Sequence, residues 1–318
     1  MIQKPAALAP GSTLGIIAPA GPARDLLPVA EGIKMIEGLG FRVSMASNVL
    51  NKNKYLAGTE PERLDDIHRM FLDPEIDGII CLRGGYGSMK ILPDINYRSV
   101  RRSRKLFVGY SDITALQLAI WKMAGLVTFS GPMLLPDLGR KPSDYTLSHF
   151  YRALTDPRPL GPVPCAPGLK KTVLLPGRSS GRLIGGNLTM VTATLGTPYE
   201  IDTRGAILLL EDVDEQPYRV DRMLQQMRLA GKFNHAAGVV FGDFTNCEVE
   251  DKDTSFTLPE VFEAAVKGLH IPCFHGLSVG HGRHKATIPL GVRAEIDADV
   301  CSLKIIESAL TPRNNKIY

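Results

Sequence analysis

Several features are missing from this chain. None of its five cysteines (Cys81, Cys165, Cys247, Cys273 and Cys301) is paired in a C-x-x-C, and their number is odd. That excludes a disulfide framework and a cysteine zinc site, and it fits a reducing compartment. No apolar run is long enough to span a bilayer. The run Leu14–Ala18 near the start is bounded by Pro10 and Pro19. It is too short for an export signal and reads as a first strand, so the expected location is cytoplasmic, away from membranes. Net charge is only +4, and basic residues do not interleave with aromatics. Nucleic acid is therefore not an expected partner. Arg98 to Lys105 is the densest basic run and is expected to solvate a helix end. Neither a Walker A loop nor a G-x-G-x-x-G fingerprint occurs, and no repeat or heptad run is found. No cofactor and no metal are expected.

What is present is an ordinary globular balance, with 44% apolar and 22% charged residues in 318. That length favours two domains. Largely apolar strands at Thr13–Ala18, Gly78–Leu82 and Leu106–Val108, and a strand at Phe41–Met45, alternate with helices at Asp25–Leu39 and Glu60–Leu72. A further helix is predicted to start at Met89. This alternation predicts an α/β fold with a parallel, doubly wound sheet. From Pro132 to Pro176 periodicity fades, and Pro157, Pro159, Pro162, Pro164 and Pro167 crowd together. The expected division is a first domain over 1–140, a linker over 141–178 and a second domain over 179–318. In the second, helices are predicted at 188–194, 218–229 and 259–267. Strands are predicted at 206–210 and 238–241, with 294–297 and 302–306 as a short pair.

Ser111 stands where the strand 106–108 turns sharply into a helix, the geometry of a nucleophile elbow. Ile113 occupies the place of the usual second glycine. The amide of Asp112 is then placed to receive an oxyanion. The alternative is that Ser111 or Asp112 only caps the helix. A serine nucleophile needs a base and an orienting carboxylate. His281, flanked by Gly280 and Gly282 after an extended segment, is the candidate base, and His284 competes. His68 and His149 fall in helical patterns, and His235, His270 and His275 in loops. Glu211 and Asp212 end a buried strand, where functional side chains collect, and Asp214 and Glu215 continue the acidic cluster. Arg83-Gly-Gly-Tyr-Gly87 ends another strand. Its glycines either supply a second oxyanion donor or form a tight turn.

Taken together, Leu82-Arg-Gly-Gly-Tyr-Gly87, Val108-Gly-Tyr-Ser-Asp-Ile-Thr-Ala115, Gly185-Gly-Asn-Leu188, Leu210-Glu-Asp212 with Tyr218 and Asp221-Arg222, and Gly280-His-Gly282 with Ile288-Pro-Leu-Gly291 resemble the landmarks of the LD-carboxypeptidases. That serine peptidase family also holds the microcin C self-immunity peptidases. The resemblance implies a catalytic triad of Ser111, His281 and Glu211, with Glu211 preferred to Asp212 on that ground alone. It implies an oxyanion hole of the Gly85 and Asp112 amides. The implied fold is a Rossmann-like (flavodoxin-like) N-terminal domain and a smaller β-rich C-terminal domain with the site between them, commonly in a homodimer. The implied reaction releases terminal D-alanine from a murein tetrapeptide in peptidoglycan recycling. Arg83 is the candidate reader of the substrate's free carboxylate, with Arg222 and Arg283 as competitors.

A microcin C-type immunity peptidase is the rival reading. It needs an aromatic platform for the nucleotide base, and the single Trp121 lies in the elbow helix. A glutaminase would want cysteine in place of Ser111, and a solute-binding protein would carry an export signal.

Overall fold

The computed structural model describes residues 2–313 apart from 167 and 250–252, so Pro167 lies outside the described residues. The first half runs β1 (Thr13–Ile17), α1 (Leu27–Gly38), β2 (Arg42–Met45), α2 (Glu60–Leu72), β3 (Gly78–Cys81), α3 (Tyr97–Ser103), β4 (Leu106–Gly109), α4 (Thr114–Ala124) and β5 (Thr128–Ser130). Every residue of β1, β3 and β4 is buried, as expected of central strands covered on both faces. These strands pair in parallel in the order β2-β1-β3-β4-β5. The winding reverses between β1 and β3, which opens a crevice beyond their carboxyl ends.

The predicted span of α2 is matched residue for residue. Thr59 and Glu62 close a capping box at its start, the Glu62 carboxylate accepting from the Thr59 N–H at 2.7 Å. The basic run behaves in two ways. Arg101 and Arg102 fall in the last turn of α3. Lys105 is instead buried, and its ammonium donates to the Met70 carbonyl at 2.8 Å and to that of Asp73, at the end of α2. The helix predicted to start at Met89 is a 3-10 turn over Ser88–Asp94 that contains Pro93.

The second half runs α5 (Asp144–Thr155), β6 (Gly161–Pro162), β7 (Thr172–Leu175), β8 (Arg178–Asn187), α6 (Leu188–Ala193), β9 (Ala206–Val213), α7 (Pro217–Leu229), β10 (Gly238–Thr245), α8 (Leu258–Val266), β11 (Cys273–His275), β12 (Ile288–Leu290), β13 (Arg293–Asp297) and β14 (Ser302–Ile305). Strands β8, β9, β10 and β11 form a parallel centre, flanked by antiparallel β13, β14 and β6 on one side and β7 on the other. Period-two alternation places Ile207 and Leu209 of β9 in the main core, while Leu208 and Leu210 pack with Val220, Leu224 and Met227 of α7.

Two regions differ from the sequence expectation. The stretch read as a linker contains α5, capped by Ser143 and burying Thr146, Phe150, Ala153 and Leu154, and it supplies two strands to the second sheet. Its prolines flank the helix instead of interrupting it. His275 lies in β11, a strand of three residues too short to show a pattern. In addition, β12 leaves the second half and pairs antiparallel with β5, so it belongs to the first sheet.

Candidate active site

Ser111 lies two residues beyond the β4 carboxyl end, in a 3-10 turn over Ser111–Ile113 that leads into α4. Its φ of 64° is left-handed, a strained conformation for serine and the one an elbow demands. The capping alternative does not hold: neither this turn nor α4 carries a side-chain cap. Asp112 turns its buried carboxylate to the Ser88 N–H at 2.9 Å, while the Ser88 hydroxyl donates to the Asp112 carbonyl at 2.6 Å. Burial raises the Asp112 pKa, against the lowering effect of the Ser88 hydrogen bonds.

The loop after β3 closes on the elbow. Gly84 lies so near Ser111 that a Cβ there would fall 2.9 Å from the serine Cβ. The Gly84 carbonyl accepts the Gly21 N–H at 3.1 Å. Because the peptide is planar and trans, this bond turns the Gly85 N–H away from Gly21. Arg63, only 1% exposed, braces the same loop from α2, donating to the Gly87 carbonyl at 2.8 Å and the Pro19 carbonyl at 2.7 Å.

From the second half come the base and acid candidates. The Nδ1 atom of His281 lies 2.7 Å from Oε2 of Glu211, whose side chain is 1% exposed at the end of β9. Asp212 points elsewhere and is held by the Asn187 amide and by the Thr189 N–H and hydroxyl. Asp214 is exposed and bonds Asn246. His284 bonds Ser143 at 2.9 Å, docking its loop on the start of α5. The geometry thus pairs His281 with Glu211 and leaves His284 and Asp212 in structural contacts.

Ser111, His281, Arg83, Gly85 and Tyr110 line one cavity of about 520 Å³, joined by Arg140. Of the competing arginines, Arg222 lies over the Tyr218 ring and Arg283 lines a neighbouring cavity. Trp121 is half-buried beneath the Arg182 guanidinium and is not among the residues lining the cavity with Ser111.

Four residues escaped the sequence reading. Lys285, 5% exposed, donates to Oδ1 of Asp137 at 2.5 Å and to the Tyr110 hydroxyl at 2.9 Å. Tyr110 meets the His281 ring edge-on with centroids 4.8 Å apart, and burial, Asp137 and Glu211 push its pKa up. Asp243 lies beneath the His281 loop. Burial and the neighbouring Glu211 raise its pKa to about 7. Oδ2 of Asp243 and Oε1 of Glu211 are both buried without a hydrogen-bond partner among the described residues. Apart from the glycine flanks of His281, the sequence held no signal for these contacts.

Known proteins share the two-domain fold of this chain. Residues 14–131 match the LD-carboxypeptidase N-terminal domain, and residues 180–296 match the LD-carboxypeptidase C-terminal domain. A probable murein peptide carboxypeptidase of Bacillus subtilis (strain 168) is 40% identical over 300 residues, covering 92% of this chain and 91% of its own. The crystal structure of muramoyltetrapeptide carboxypeptidase from Oxalobacter formigenes is similar with a TM-score of 0.82 at 32% identity, over 94% of this chain and 100% of that one. The microcin C7 self-immunity protein MccF, in complex with aspartyl sulfamoyl adenosine, has a TM-score of 0.89 at 27% identity, over 97% and 99%. Both halves of the family's architecture are present, in order and over most of the sequence, and this chain belongs to the LD-carboxypeptidase family.

Proposed function

We propose that the protein is a serine carboxypeptidase that releases terminal D-alanine from murein tetrapeptides by cutting the L,D-peptide bond. The observation that carries this reading is the shared cavity: a strained Ser111 from one half and the His281–Glu211 pair from the other. In this mechanism His281 takes the Ser111 proton as the hydroxyl attacks the carbonyl carbon. Glu211 holds the imidazole through Nδ1 and stabilises the imidazolium that forms. The Gly85 and Asp112 amides receive the oxyanion, where each such donor is worth about 10²–10³ in rate. His281 then protonates the leaving amine, and water attacks the acyl-enzyme with His281 as base.

Arg83 reads the terminal carboxylate, with Arg140 on the same cavity wall. Arg83→Met should lower kcat/KM on free-acid substrates far more than on amidated ones, and equal losses sink that role. The position of Trp121 under Arg182, and its absence from the cavity lining, favour a muropeptide over an aminoacyl nucleotide. We place the enzyme in the cytoplasm as a homodimer: its described cysteines are free thiols, four of them buried, and the dimer follows the family resemblance.

The reading is tested by D-alanine release from an L,D-tetrapeptide. Wild-type protein should be active and Ser111→Ala reduced to background. A Ser111→Ala variant that retains activity removes the triad.

A further inference from the structure

Strand β10 breaks its own alternation beside Glu211. Its register against β9 pairs Phe241 with Leu210 and Phe244 with Asp212, so Gly242 and Asp243 together stand opposite Glu211. Two residues against one make a β-bulge, a device that re-aims a side chain. Under strict alternation Asp243 would share the face of Phe241, whose ring stacks on Phe262 of α8 with centroids 4.2 Å apart. The extra residue gives that face to Phe244 instead, and its ring also meets Phe262, at 4.9 Å. Asp243 is thereby turned toward Glu211 and the His281 loop.

There it meets the chain on both sides of His281. The Asp243 N–H donates to the Val279 carbonyl at 2.8 Å. A Cβ on Gly282 would fall 2.5 Å from Oδ2 of Asp243 and 2.9 Å from its Cγ. The φ of Gly282 is not left-handed, so its backbone tolerates a side chain, and the Asp243 carboxyl is what forbids one. Gly280 differs: its φ is 129°, and a Cβ there would fall 2.7 Å from Oε2 of Glu211. The glycine after His281 is therefore matched to a single neighbouring side chain. Oδ2 of Asp243 is buried without a hydrogen-bond partner among the described residues, which suits a neutral carboxyl. Burial and Glu211 raise its pKa, against Lys285, the Gly282 N–H and His281.

We infer that Asp243 is a positioning residue for the general base: it clasps residues 279–282 so that the His281 ring stays on Glu211. The inference rests on the triad of the carboxypeptidase reading. The clasp has two points, the Asp243 N–H on the backbone before His281 and the carboxyl on the backbone after it. Removing the side chain frees the second point and lets the imidazole shift relative to the Ser111 hydroxyl. A carboxamide has the same shape and no charge, so it keeps the hold.

The test measures D-alanine release from an L,D-tetrapeptide by wild type, Asp243→Ala and Asp243→Asn at about pH 6, where the raised carboxyl keeps its proton. The alanine variant should lose about tenfold or more in kcat, with KM changed less than about twofold. The asparagine variant should recover to within about threefold of wild type. An alanine variant as fast as wild type, or an asparagine variant no faster than alanine, overturns the inference. Gly282→Ala presses on the same carboxyl and should also lose about tenfold in kcat. Added to Asp243→Ala it should cost nothing further, and losses that multiply overturn the clasp. Proton NMR of the His281 Nδ1–H, bonded to Glu211, reads the geometry without substrate. Its downfield resonance should persist in Asp243→Asn and vanish in Asp243→Ala, and persistence in both overturns the role. If wild type hydrolyses no tetrapeptide, the carboxypeptidase reading fails, and this resonance still decides the part played by Asp243.

Discussion

Gly84 and Ser111 compete for one space: a Cβ on the glycine would lie 2.9 Å from the serine Cβ and 3.0 Å from its Oγ. The loop after β3 and the turn at Ser111 therefore fix each other's position. Gly84→Ala should leave far-UV circular dichroism unchanged while lowering kcat by about 10²-fold or more, the usual cost of displacing a reacting group by an ångström. Undiminished turnover would contradict the contact.

The φ of 64° at Ser111 is a stored cost that glycine would not carry. Ser111→Gly and Ser111→Ala should both be inactive. In urea denaturation, the glycine variant should be the more stable by about 1 kcal/mol. Equal midpoints and slopes would mean the elbow is unstrained.

Asp243 sets a stability profile against pH. Its carboxyl, raised to about 7 by burial and Glu211, holds a proton in the folded state that it loses near pH 4 when unfolded. The folded state thus binds more protons between those values, and stability falls as pH rises through that window. Asp243→Asn, which cannot ionise, should lose less stability than wild type between pH 5 and 8. The difference should be on the order of 2 kcal/mol. Parallel profiles would show that Asp243 titrates normally.

The buried Lys285–Asp137 pair ties the His281 loop to the elbow half. Lys285→Met strands the Asp137 carboxylate and should cost about 3–5 kcal/mol by chemical denaturation. Adding Asp137→Leu should recover most of that loss. A double variant as unstable as the two single losses combined would show that the pair is not coupled.

Much of this molecule was legible in the sequence wherever neighbours along the chain decide the outcome. The buried strands, the span of α2 and the turn at Ser111 are local, and each followed from periodicity or from the glycine that breaks it. Contacts formed across the sheets were not. No spacing rule distinguishes Glu211 from Asp212, because adjacent strand residues point to opposite faces and the sequence does not say which face meets His281. A lysine such as Lys285 carries no mark that it will be buried beside Asp137. Asp243 likewise became a site residue only when β10 was laid beside β9. The missed helix α5 has another cause: the prolines that mark its surroundings hid a twelve-residue amphipathic segment.

Because β12 departs from the second half to complete the first sheet, the polypeptide is laced back through its own boundary. Severing the chain near residue 140 would strip the first fragment of its outermost ribbon and leave the backbone groups of β5 bare along one margin. Such a raw margin invites self-association, so the first fragment expressed alone should aggregate. The returning strand thus stitches the two halves together along the first sheet.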